Sequence, residues 1–473
     1  MLDRPYKPSE FQNLINGEGV LGDSSELSVI NPATETAVVT ILSASAKQVD
    51  NAVLAAKAAF PTWSALQQNE RKAVLAKIAE ITKANMNELA NLHASETGKP
   101  MADSLFEIGA TAGFFEFHAH VPTDALDPTD IPNSDAKAYR LPLGVVAAIV
   151  PWNFPMALMA FKVPGALLAG NTVVIKPAPT TPLTTLLWAS LINEALPKGV
   201  INVIADSGDL GPMLSAHKDV RKISFTGSTA TGKHIMKSAA DDLKRITLEL
   251  GGNDPAIVLA NADLDDISAP LFEAGFMNNG QTCSAVKRVY VHQSKHDALV
   301  RKLSEMADAA KIGSPLEDGV KFGPIQNQRQ FDVVTELLED AVKQGAVVEA
   351  GGYCPEGAGY YLRPTVLSGV KDGHSIVDEE QFGPVLPIIS YDDINEVIST
   401  INSSSFGLGA SVWGSDKDDI NVVVKQIETG SVWINKHFPV APNIPFGGAR
   451  QSGVGSELGT QGLLEFTQLK IVS

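Results

Sequence analysis

Short β-branched runs that alternate with helical patterns constrain the fold of this 473-residue chain more than any other feature. Three of these runs are followed by segments of helical periodicity: 144–150 before Ala157, 172–176 before Leu183 and 221–225 before Thr229. Two more runs follow at 245–250 and 256–259. This alternation favours a parallel sheet with helices on both faces, and hence the α/β fold class. A second α/β section runs from about Asp263 to the C-terminus, in line with the two or three domains expected at roughly 100–200 residues each.

Two further segments complete this outline. Apolar side chains recur at three- and four-residue steps, or their sums, at Val74, Ile78, Ile81, Leu89 and Leu92. They predict one long amphipathic helix, which Gly98 ends. The stretch 121–138 is rich in Pro and Asp and has no helical period, so it is predicted to be a loop or an edge hairpin.

Charge and hydropathy exclude several classes of protein. The 54 acidic and 37 basic residues give a formal net charge of −17, whereas a dedicated nucleic-acid binder needs a Lys/Arg-rich face. The N-terminal segment 1–11 lacks the apolar core of a signal peptide. Lys162 interrupts the best apolar candidate, 156–170, before it reaches the ~18 residues of a membrane span. A soluble cytoplasmic protein without a membrane or nucleic-acid partner is therefore expected.

The chain has two cysteines, Cys283 and Cys354, too few for a disulfide scaffold or a multi-cysteine metal cluster. Cys283 lies between a helical stretch and the strand-like VKRVYV, beside Thr282 and Ser284. These small polar neighbours suit an exposed nucleophile, whereas composition alone favours a buried small hydrophobic residue. Cys354 lies in a Gly-rich turn without a comparable setting and is interpreted as incidental.

Glu249 and Asn153 lie at the carboxyl ends of two predicted strands. Glu249 precedes two glycines, at the place where α/β sheets form their sites and where the backbone can approach a ligand closely. Asn153 lies between two prolines in PWNFP, which fix the backbone, so its amide is a candidate oxyanion donor. A salt-bridged strand-end acid and a helix-capping asparagine are the respective alternatives.

Two other motifs argue against common kinds of site. The segment 227–234 (GSTATGKH) nearly matches the P-loop, but His234 replaces the hydroxyl residue that would bind Mg²⁺. It predicts a phosphate-binding junction of strand and helix rather than a nucleoside triphosphatase. The dinucleotide fingerprint G-x-G-x-x-G is absent. His118 and His120 are two residues apart and do not share a helical face, so no metal site is predicted.

Eight short segments occur in an order and spacing that resemble the NAD(P)-dependent aldehyde dehydrogenase superfamily over almost the whole chain. They are ETGKP (96–100), PWNFP (151–155), KPAP (176–179), FTGST (225–229), ELGG (249–252), GQTC (280–283), EEQFGP (379–384) and PFGGARQSGVGSELG (445–459). The resemblance implies a Rossmann-type cofactor domain, an α/β catalytic domain and a small oligomerisation β-extension. The implied bounds are 1–119 and 143–251 for the cofactor domain, 252–448 for the catalytic domain, and 120–142 and 459–473 for the oligomerisation strands of a homodimer or homotetramer.

The resemblance also implies catalytic roles. The Cys283 thiolate would attack the aldehyde carbon to give a thiohemiacetal, while the Asn153 amide and the Cys283 backbone N–H would form the oxyanion hole. Hydride transfer to the nicotinamide would leave a thioester. Glu249 would activate the water that hydrolyses this thioester to the carboxylic acid, with Lys162 on a proton path behind it.

For the cofactor, the resemblance implies a set of contact residues: Val150, Trp152, Lys176, Pro179, Gly227, Ser228, Gly232, Leu250, Glu380 and Phe382. Lys176 matches the lysine that hydrogen-bonds the adenosine ribose, and Glu380 the residue that holds the nicotinamide ribose. Pro179 is a departure, because NAD-preferring members often have a Glu there that repels a 2′-phosphate. The sequence therefore predicts NAD or NADP, with a dual preference.

The implied lining of the substrate channel is mixed apolar and small: Met277, Thr282, Ser284, Phe154, Leu158, Phe161 and the loop 437–444. It is consistent with medium aliphatic, aromatic or sugar-derived aldehydes, and no Arg or Lys stands out to bind a substrate carboxylate. Two alternatives stay open: a CoA-acylating relative, in which a thiol resolves the thioester, and a non-catalytic binding protein on this scaffold. Glu249 favours hydrolysis, since acylating members tend to lack that base, and the intact set of Cys283, Glu249 and Asn153 disfavours the second alternative.

Overall fold

The computed structural model describes residues 6–473, so residues 1–5 of the predicted cofactor domain and N-terminal segment lie outside the described part. The strands, in chain order, are β1 (Asn13–Ile15), β2 (Glu18–Val20), β3 (Glu26–Asn31), β4 (Thr36–Leu42), β5 (Thr129–Asp130), β6 (Lys137–Pro142), β7 (Val145–Ile149), β8 (Thr172–Lys176), β9 (Ile201–Val203), β10 (Val220–Thr226), β11 (Arg245–Glu249), β12 (Asp254–Val258), β13 (Val286–His292), β14 (Val347–Ala350), β15 (Thr365–Ser368), β16 (Val385–Tyr391), β17 (Gly409–Trp413), β18 (Ser431–Ile434), β19 (Gly453–Val454) and β20 (Thr467–Val472).

The α-helices, again in chain order, are α1 (Ala46–Ala65), α2 (Gln68–Ala84), α3 (Met86–Thr97), α4 (Met101–His120), α5 (Pro155–Leu168), α6 (Leu183–Ile192), α7 (Gly211–Ala216), α8 (Thr229–Ala240), α9 (Leu264–Phe276), α10 (His296–Ala309), α11 (Gln328–Lys343), α12 (Ser375–Asp378), α13 (Ile394–Ser403), α14 (Lys417–Val424) and α15 (Gly459–Leu464). None of the helices within residues 6–473 is both long enough and apolar enough to cross a membrane.

The first sheet has eight strands in the order β19-β11-β10-β7-β8-β9-β1-β2. Strands β7 to β11 run parallel, and the chain order reverses at β7, because β8 and β9 continue to one side and β10 and β11 to the other. Such a reversal opens a crevice at the carboxyl ends of the strands, where open α/β sheets bind ligands. Residues 150–153, residues 227–228 and Glu249 all lie at this edge.

The second sheet has seven strands in the order β14-β15-β16-β13-β12-β17-β18, all parallel except β14. Cys283 lies just before β13, and Glu380 lies just before the neighbouring β16. This sheet therefore contributes the amino ends of its strands to the site. A third sheet, β20-β6-β5, joins the C-terminal strand to the 129–142 hairpin, and β3 pairs with β4 separately.

Alternate residues of the central strands pack into different hydrophobic cores. In β7, Val146 and Ala148 pack with the α5 side, whereas Val145 and Ala147 pack into the core that contains α1 residues. Alternate residues of the second sheet are also divided between two hydrophobic cores. Because successive side chains point to opposite faces of a strand, both faces of each sheet are buried, which explains the continuous apolar runs in the sequence.

Most of the predicted elements are confirmed. The strand predicted at 172–176 and the helices predicted from Leu183 and Thr229 begin where expected, and the 121–138 segment contains an edge hairpin. The single long helix is wrong, because Asn85 separates α2 from α3 with φ −107° and ψ 16° and bonds its side-chain amide to the Ile81 carbonyl. Gly98 does end α3, in the left-handed region at φ 79°.

Candidate active site

The carboxyl ends of the first sheet and the amino ends of the second meet around a cavity of about 200 Å³. Its wall brings together most of the residues predicted from motifs: Trp152, Asn153, Gly227, Ser228, Leu250, Cys283, Glu380 and Phe382. These residues come from loops after β7, β10 and β11 and from loops before β13 and β16. The fold therefore assembles one site from segments that are more than 200 residues apart in sequence.

Cys283 lies at the end of a tight left-handed turn. Asn278, Asn279 and Gly280 have positive φ angles of 53°, 55° and 66°. A Cβ at position 280 would collide with the carbonyl oxygen of Gly383, so only glycine fits there. The turn leaves Cys283 half-buried while its neighbours Thr282 and Ser284 are fully buried. The prediction that Thr282 and Ser284 line the substrate channel is wrong, because almost none of their surface is accessible.

Two N–H groups are available for an oxyanion beside the Cys283 sulfur. The Cys283 backbone N–H donates to no oxygen within residues 6–473. The Asn153 side chain is buried on the wall of the same cavity, and its Nδ2 donates to the Gln281 carbonyl at 2.9 Å. An amide group carries two N–H donors, so one remains for a ligand while the other fixes the side chain.

Electrostatics around Cys283 disfavour the thiolate. Burial raises the pKa of the thiol to about 12, and the carboxylates of Glu380, Asp254 and Glu249 add to the shift. The Lys287 ammonium acts in the opposite direction and lowers this pKa. Lys287 is itself buried, which lowers its own pKa to about 8, and its Nζ donates to the Gly280 carbonyl.

Glu249 is a buried carboxyl group with both oxygens lacking a hydrogen-bond partner among the described residues. Burial raises its pKa well above the usual value, the Glu457 charge raises it further, and Lys162 lowers it. Lys162 is also buried, and its Nζ donates to Glu457 Oε1 and, at 2.6 Å, to Thr226 Oγ1. Lys162 and Glu457 thus influence the Glu249 charge without a hydrogen bond to it among the described residues, and the proton path through Lys162 stays a prediction.

A second cavity of about 880 Å³ adjoins the first and shares Trp152, Gly227 and Ser228 with it. Val150, Lys176 and Pro179 also line this larger cavity, as predicted. Ser228 caps the N-terminus of α8 by accepting the Thr231 backbone N–H at 3.2 Å, which places a positive helix end at the junction of the cavities. Together, the two cavities and this helix end fit a dinucleotide.

One predicted contact residue lies elsewhere. Gly232 is buried in α8, and a Cβ there would approach the Leu250 Cδ2 to 2.5 Å, so the glycine permits close packing of helix on strand end. It lines neither cavity.

Glu380 and Phe382 form the wall opposite α8. The Glu380 Oε1 accepts the Gly252 backbone N–H at 3.0 Å, and burial raises the pKa of this carboxyl to about 7. A Cβ at Gly251 would collide with the Glu380 carboxylate, which explains why the ELGG segment (249–252) has glycine at this position. The Phe382 ring packs edge-on against Trp152 with 5.4 Å between centroids.

No group of three or more His, Cys, Asp or Glu side chains that could hold a metal ion occurs in the part of the chain that the structure describes. The two histidines of α4 bond separately to backbone carbonyls, His118 to Phe114 and His120 to Glu116.

Several residues at the site were not singled out from the sequence. Lys287 lies in the strand-like VKRVYV, where a charged side chain in an apolar strand was an available signal. His437 Nε2 donates to the carbonyl of Ser284, the residue after Cys283, at 2.7 Å and lies 3.7 Å from Asp254 Oδ2. Glu457 lies inside a quoted motif, but nothing local distinguishes it. These residues reach the site only through tertiary packing.

Comparisons with known proteins agree with this geometry. The model of the aldehyde dehydrogenase family matches residues 20–472. Aldehyde dehydrogenase 1A1 of Mesocricetus auratus is 39% identical over 454 residues, covering 94% of this chain and 91% of its own. Betaine aldehyde dehydrogenase of Rhizobium etli is 38% identical over 474 residues, covering 98% and 97%. The NAD⁺ complex of an aldehyde dehydrogenase from Bacillus cereus superposes with a TM-score of 0.94 at 37% identity, covering 98% of this chain and 96% of that one.

The chain therefore belongs to the aldehyde dehydrogenase family. Its reaction is the oxidation of an aldehyde to the carboxylic acid with reduction of NAD(P), and its fold is the α/β fold of that family.

Proposed function

We propose that Cys283 is the nucleophile of this aldehyde oxidation. The observation that carries the proposal is the placement of a half-buried thiol, a free backbone N–H and the Asn153 amide on one cavity wall. Attack of the sulfur on the aldehyde carbon forms a thiohemiacetal, and the two N–H groups stabilise the charge on its oxygen. The charges of Lys287, Asp254 and Glu380 shift the pKa of the Cys283 thiol.

Hydrolysis of the resulting thioester is assigned to Glu249. An unpartnered carboxylate can accept a proton from water, and burial with a raised pKa makes it a stronger base than an exposed glutamate. Lys162 and Glu457 pair with each other and shift the Glu249 pKa, so we assign to them the removal of that proton.

The cofactor is assigned to the two adjoining cavities. NAD(P), when bound, supplies the hydride acceptor for the oxidation. Among this chain's own residues, Gly227 and Ser228 at the N-terminus of α8 hold the pyrophosphate, Lys176 the adenosine ribose and Glu380 the nicotinamide ribose. We therefore assign the described residues 6–119 together with 143–251 to the cofactor domain, and residues 252–448 to the catalytic domain that carries Cys283.

Medium-sized uncharged aldehydes are the proposed substrates. Phe161 and Val440 are half-buried and, like Cys283, pack against the hydrophobic core that contains the α5 residues. The approach to the sulfur therefore has an apolar side. Lys99 Nζ lies 3.4 Å from the centroid of the Phe154 ring, which is part of the predicted lining, but it is buried and paired with Glu107. It is therefore not free to bind a substrate carboxylate.

A CoA-acylating reaction, the alternative left open by the sequence, would use the same thioester with a thiol as the acceptor. The unpartnered Glu249 favours water over a thiol as the acceptor. An absorbance assay for reduced nicotinamide over an aldehyde panel, with both cofactors and with or without coenzyme A, tests the proposal. We expect turnover without coenzyme A, no turnover for Cys283→Ala and full turnover for the control Cys354→Ala. Full activity of Cys283→Ala would disprove the assigned nucleophile.

We also propose that the third sheet joins subunits of a homodimer or homotetramer. It contains most of the predicted oligomerisation segments, 120–142 and 459–473, and β20 is its edge strand. Leu469 and Ile471, two residues apart on β20, are 54% and 50% exposed, so one face of this edge is apolar.

A cytoplasmic location is proposed on the basis of redox chemistry. Both cysteines are free, and a thiol nucleophile persists best in a reducing compartment. Cell fractionation with the dehydrogenase assay as readout tests this assignment, and activity confined to membranes or to the medium would contradict it.

A further inference from the structure

An acidic residue outside all the quoted motifs lies beside Lys176, which lines the larger cavity. Asp206 follows β9 and is fully buried. Its Oδ1 lies 2.6 Å from the Nζ of Lys176, and its Oδ2 accepts the Leu210 backbone N–H at 2.8 Å. The Leu210 N–H therefore fixes one carboxylate oxygen, and the other forms an ion pair with Lys176 without hydrogen-bond geometry.

The ion pair with Asp206 reduces the net positive charge that Lys176 presents to a cofactor. The Lys176 Nζ donates to the Pro177 carbonyl at 3.4 Å and is ion-paired with Asp206, which leaves N–H donors for a ligand. A free donor suffices for a ribose hydroxyl, which is neutral. A 2′-phosphate carries net negative charge and requires an uncompensated cation, whereas the buried Asp206 cancels the Lys176 charge where water screens little.

The other side chains on the described wall of the larger cavity do not replace the positive charge of Lys176 that Asp206 cancels. Pro179, at the position where a glutamate would repel a 2′-phosphate, lines the cavity without charge. The other basic or titratable side chains on the wall are Arg329, from α11, and His234, from α8. Arg329 is exposed to solvent, so screening weakens its attraction for a phosphate.

We propose that Asp206 is a cofactor-specificity residue, which, by pairing with Lys176, makes the enzyme bind NAD in preference to NADP. The proposal rests on the proposed placement of the adenosine ribose at Lys176. Asp206 would supply the negative charge that the Pro179 position lacks, and the preference would be for NAD rather than dual.

Calorimetric binding to the unaltered enzyme gives the first test and needs no catalysis. We expect NAD⁺ to bind at least about tenfold more tightly than NADP⁺, and 5′-AMP about tenfold more tightly than 2′,5′-ADP, as expected for one uncompensated charge near the surface. Equal binding within each pair would overturn the proposal without affecting the assigned cofactor site. Failure of all four compounds to bind would overturn the cofactor site and the proposal together.

Substitution gives the second test. Asp206→Asn should raise the affinity for NADP⁺ about tenfold while that for NAD⁺ changes less, because the Lys176 charge is then uncompensated. Asp206→Glu should keep the preference of the unaltered enzyme, and so should the control Asp209→Asn, which alters an exposed neighbouring carboxylate. Adding Lys176→Met to Asp206→Asn should abolish the gain. An unchanged ratio in folded Asp206→Asn, or a gain that survives loss of Lys176, would overturn the proposal.

Discussion

At the scale of single residues, the Cys283 thiol is surrounded by opposing charges. Lys287 favours the Cys283 thiolate, whereas Asp254, Glu380 and Glu249 disfavour it. Burial lowers the pKa of Lys287 to about 8 and raises that of Asp254 to about 8. Lys287 therefore exerts its charge mainly below pH 8 and Asp254 mainly above it, so the two residues control the thiol in different pH ranges.

Alkylation of Cys283 by iodoacetamide tests this division. Lys287→Met removes a positive charge that is present at pH 7, so we expect slower alkylation there and little change at pH 9. Asp254→Asn removes a negative charge present at pH 9, so we expect faster alkylation there and little change at pH 7. A pKa lower by about one raises the thiolate fraction about tenfold, which sets the scale. The reverse pattern, or identical rates in both variants, would contradict these assignments.

Most of the predicted site was recognisable because its residues belong to short motifs at strand ends. Cys283, Asn153 and Glu380 are of this kind, and the structure places them on one cavity wall. Asp206 and Lys287 were not recognisable, because their importance depends on partners distant in sequence. Lys176 precedes Asp206 by thirty residues, and the two meet only because β8 and β9 are neighbouring parallel strands.

At the scale of secondary structure, a buried carboxylate holds a helix N-terminus near the site. Glu107 Oε1 accepts the backbone N–H groups of Met156 and Ala157, in the first turn of α5, directly after Asn153. Its Oε2 binds Lys99 and lies 3.1 Å from the His93 Nε2. Burial alone would raise the Glu107 pKa, but Lys99 and His93 lower it to about 2. This carboxylate thereby fixes the start of the helix that positions the oxyanion donor.

Glu107→Gln should therefore destabilise the protein. We expect a loss of about 3 kcal/mol in the free energy of unfolding at pH 7, because the variant leaves Lys99 buried without its partner. Since the folded-state pKa is lowered, the ionised group contributes stability above about pH 4.5, which is lost as the pH falls towards 2. Urea unfolding of the two proteins should accordingly converge at low pH. The exposed Glu116→Gln on the same helix is the control, and equal stability of both variants would refute this role.

The bounds of strands and helices were easier to predict from the sequence than the break between α2 and α3. Buried parallel strands such as β8 have continuous β-branched runs that define their bounds, and glycine at position 98 ends a helix in the conformation that glycine favours. The break at Asn85 was not predictable from spacing, because Ile81 and Leu89 are eight residues apart and keep a helical period across it. At the break, the Asn85 side chain donates a hydrogen bond to the Ile81 carbonyl, and the spacing of apolar residues gives no sign of this bond.

At the scale of the whole molecule, the apolar edge of the third sheet is the proposed subunit contact. Ile471→Asp places a charge on the face shared with Leu469, so we expect the oligomer to dissociate into smaller species by at least one step. Gln468→Asp puts the same charge on the other face of β20 and should leave assembly intact. Analytical ultracentrifugation of both variants measures the outcome, and unchanged assembly of Ile471→Asp would remove the third sheet from the interface.

The central claim for the molecule is that two sheets bring Cys283 and Glu249 together for acylation and hydrolysis. Intact-protein mass spectrometry of Glu249→Gln, mixed with an aldehyde and NAD⁺, tests it most directly, because this variant should form the thioester and fail to hydrolyse it. We predict a mass increase equal to the aldehyde less two hydrogens, mapped by peptide analysis to Cys283 and missing in Cys283→Ala. An acyl group on another residue, or its absence from Cys283 while the reduced nicotinamide is still formed, would contradict the account.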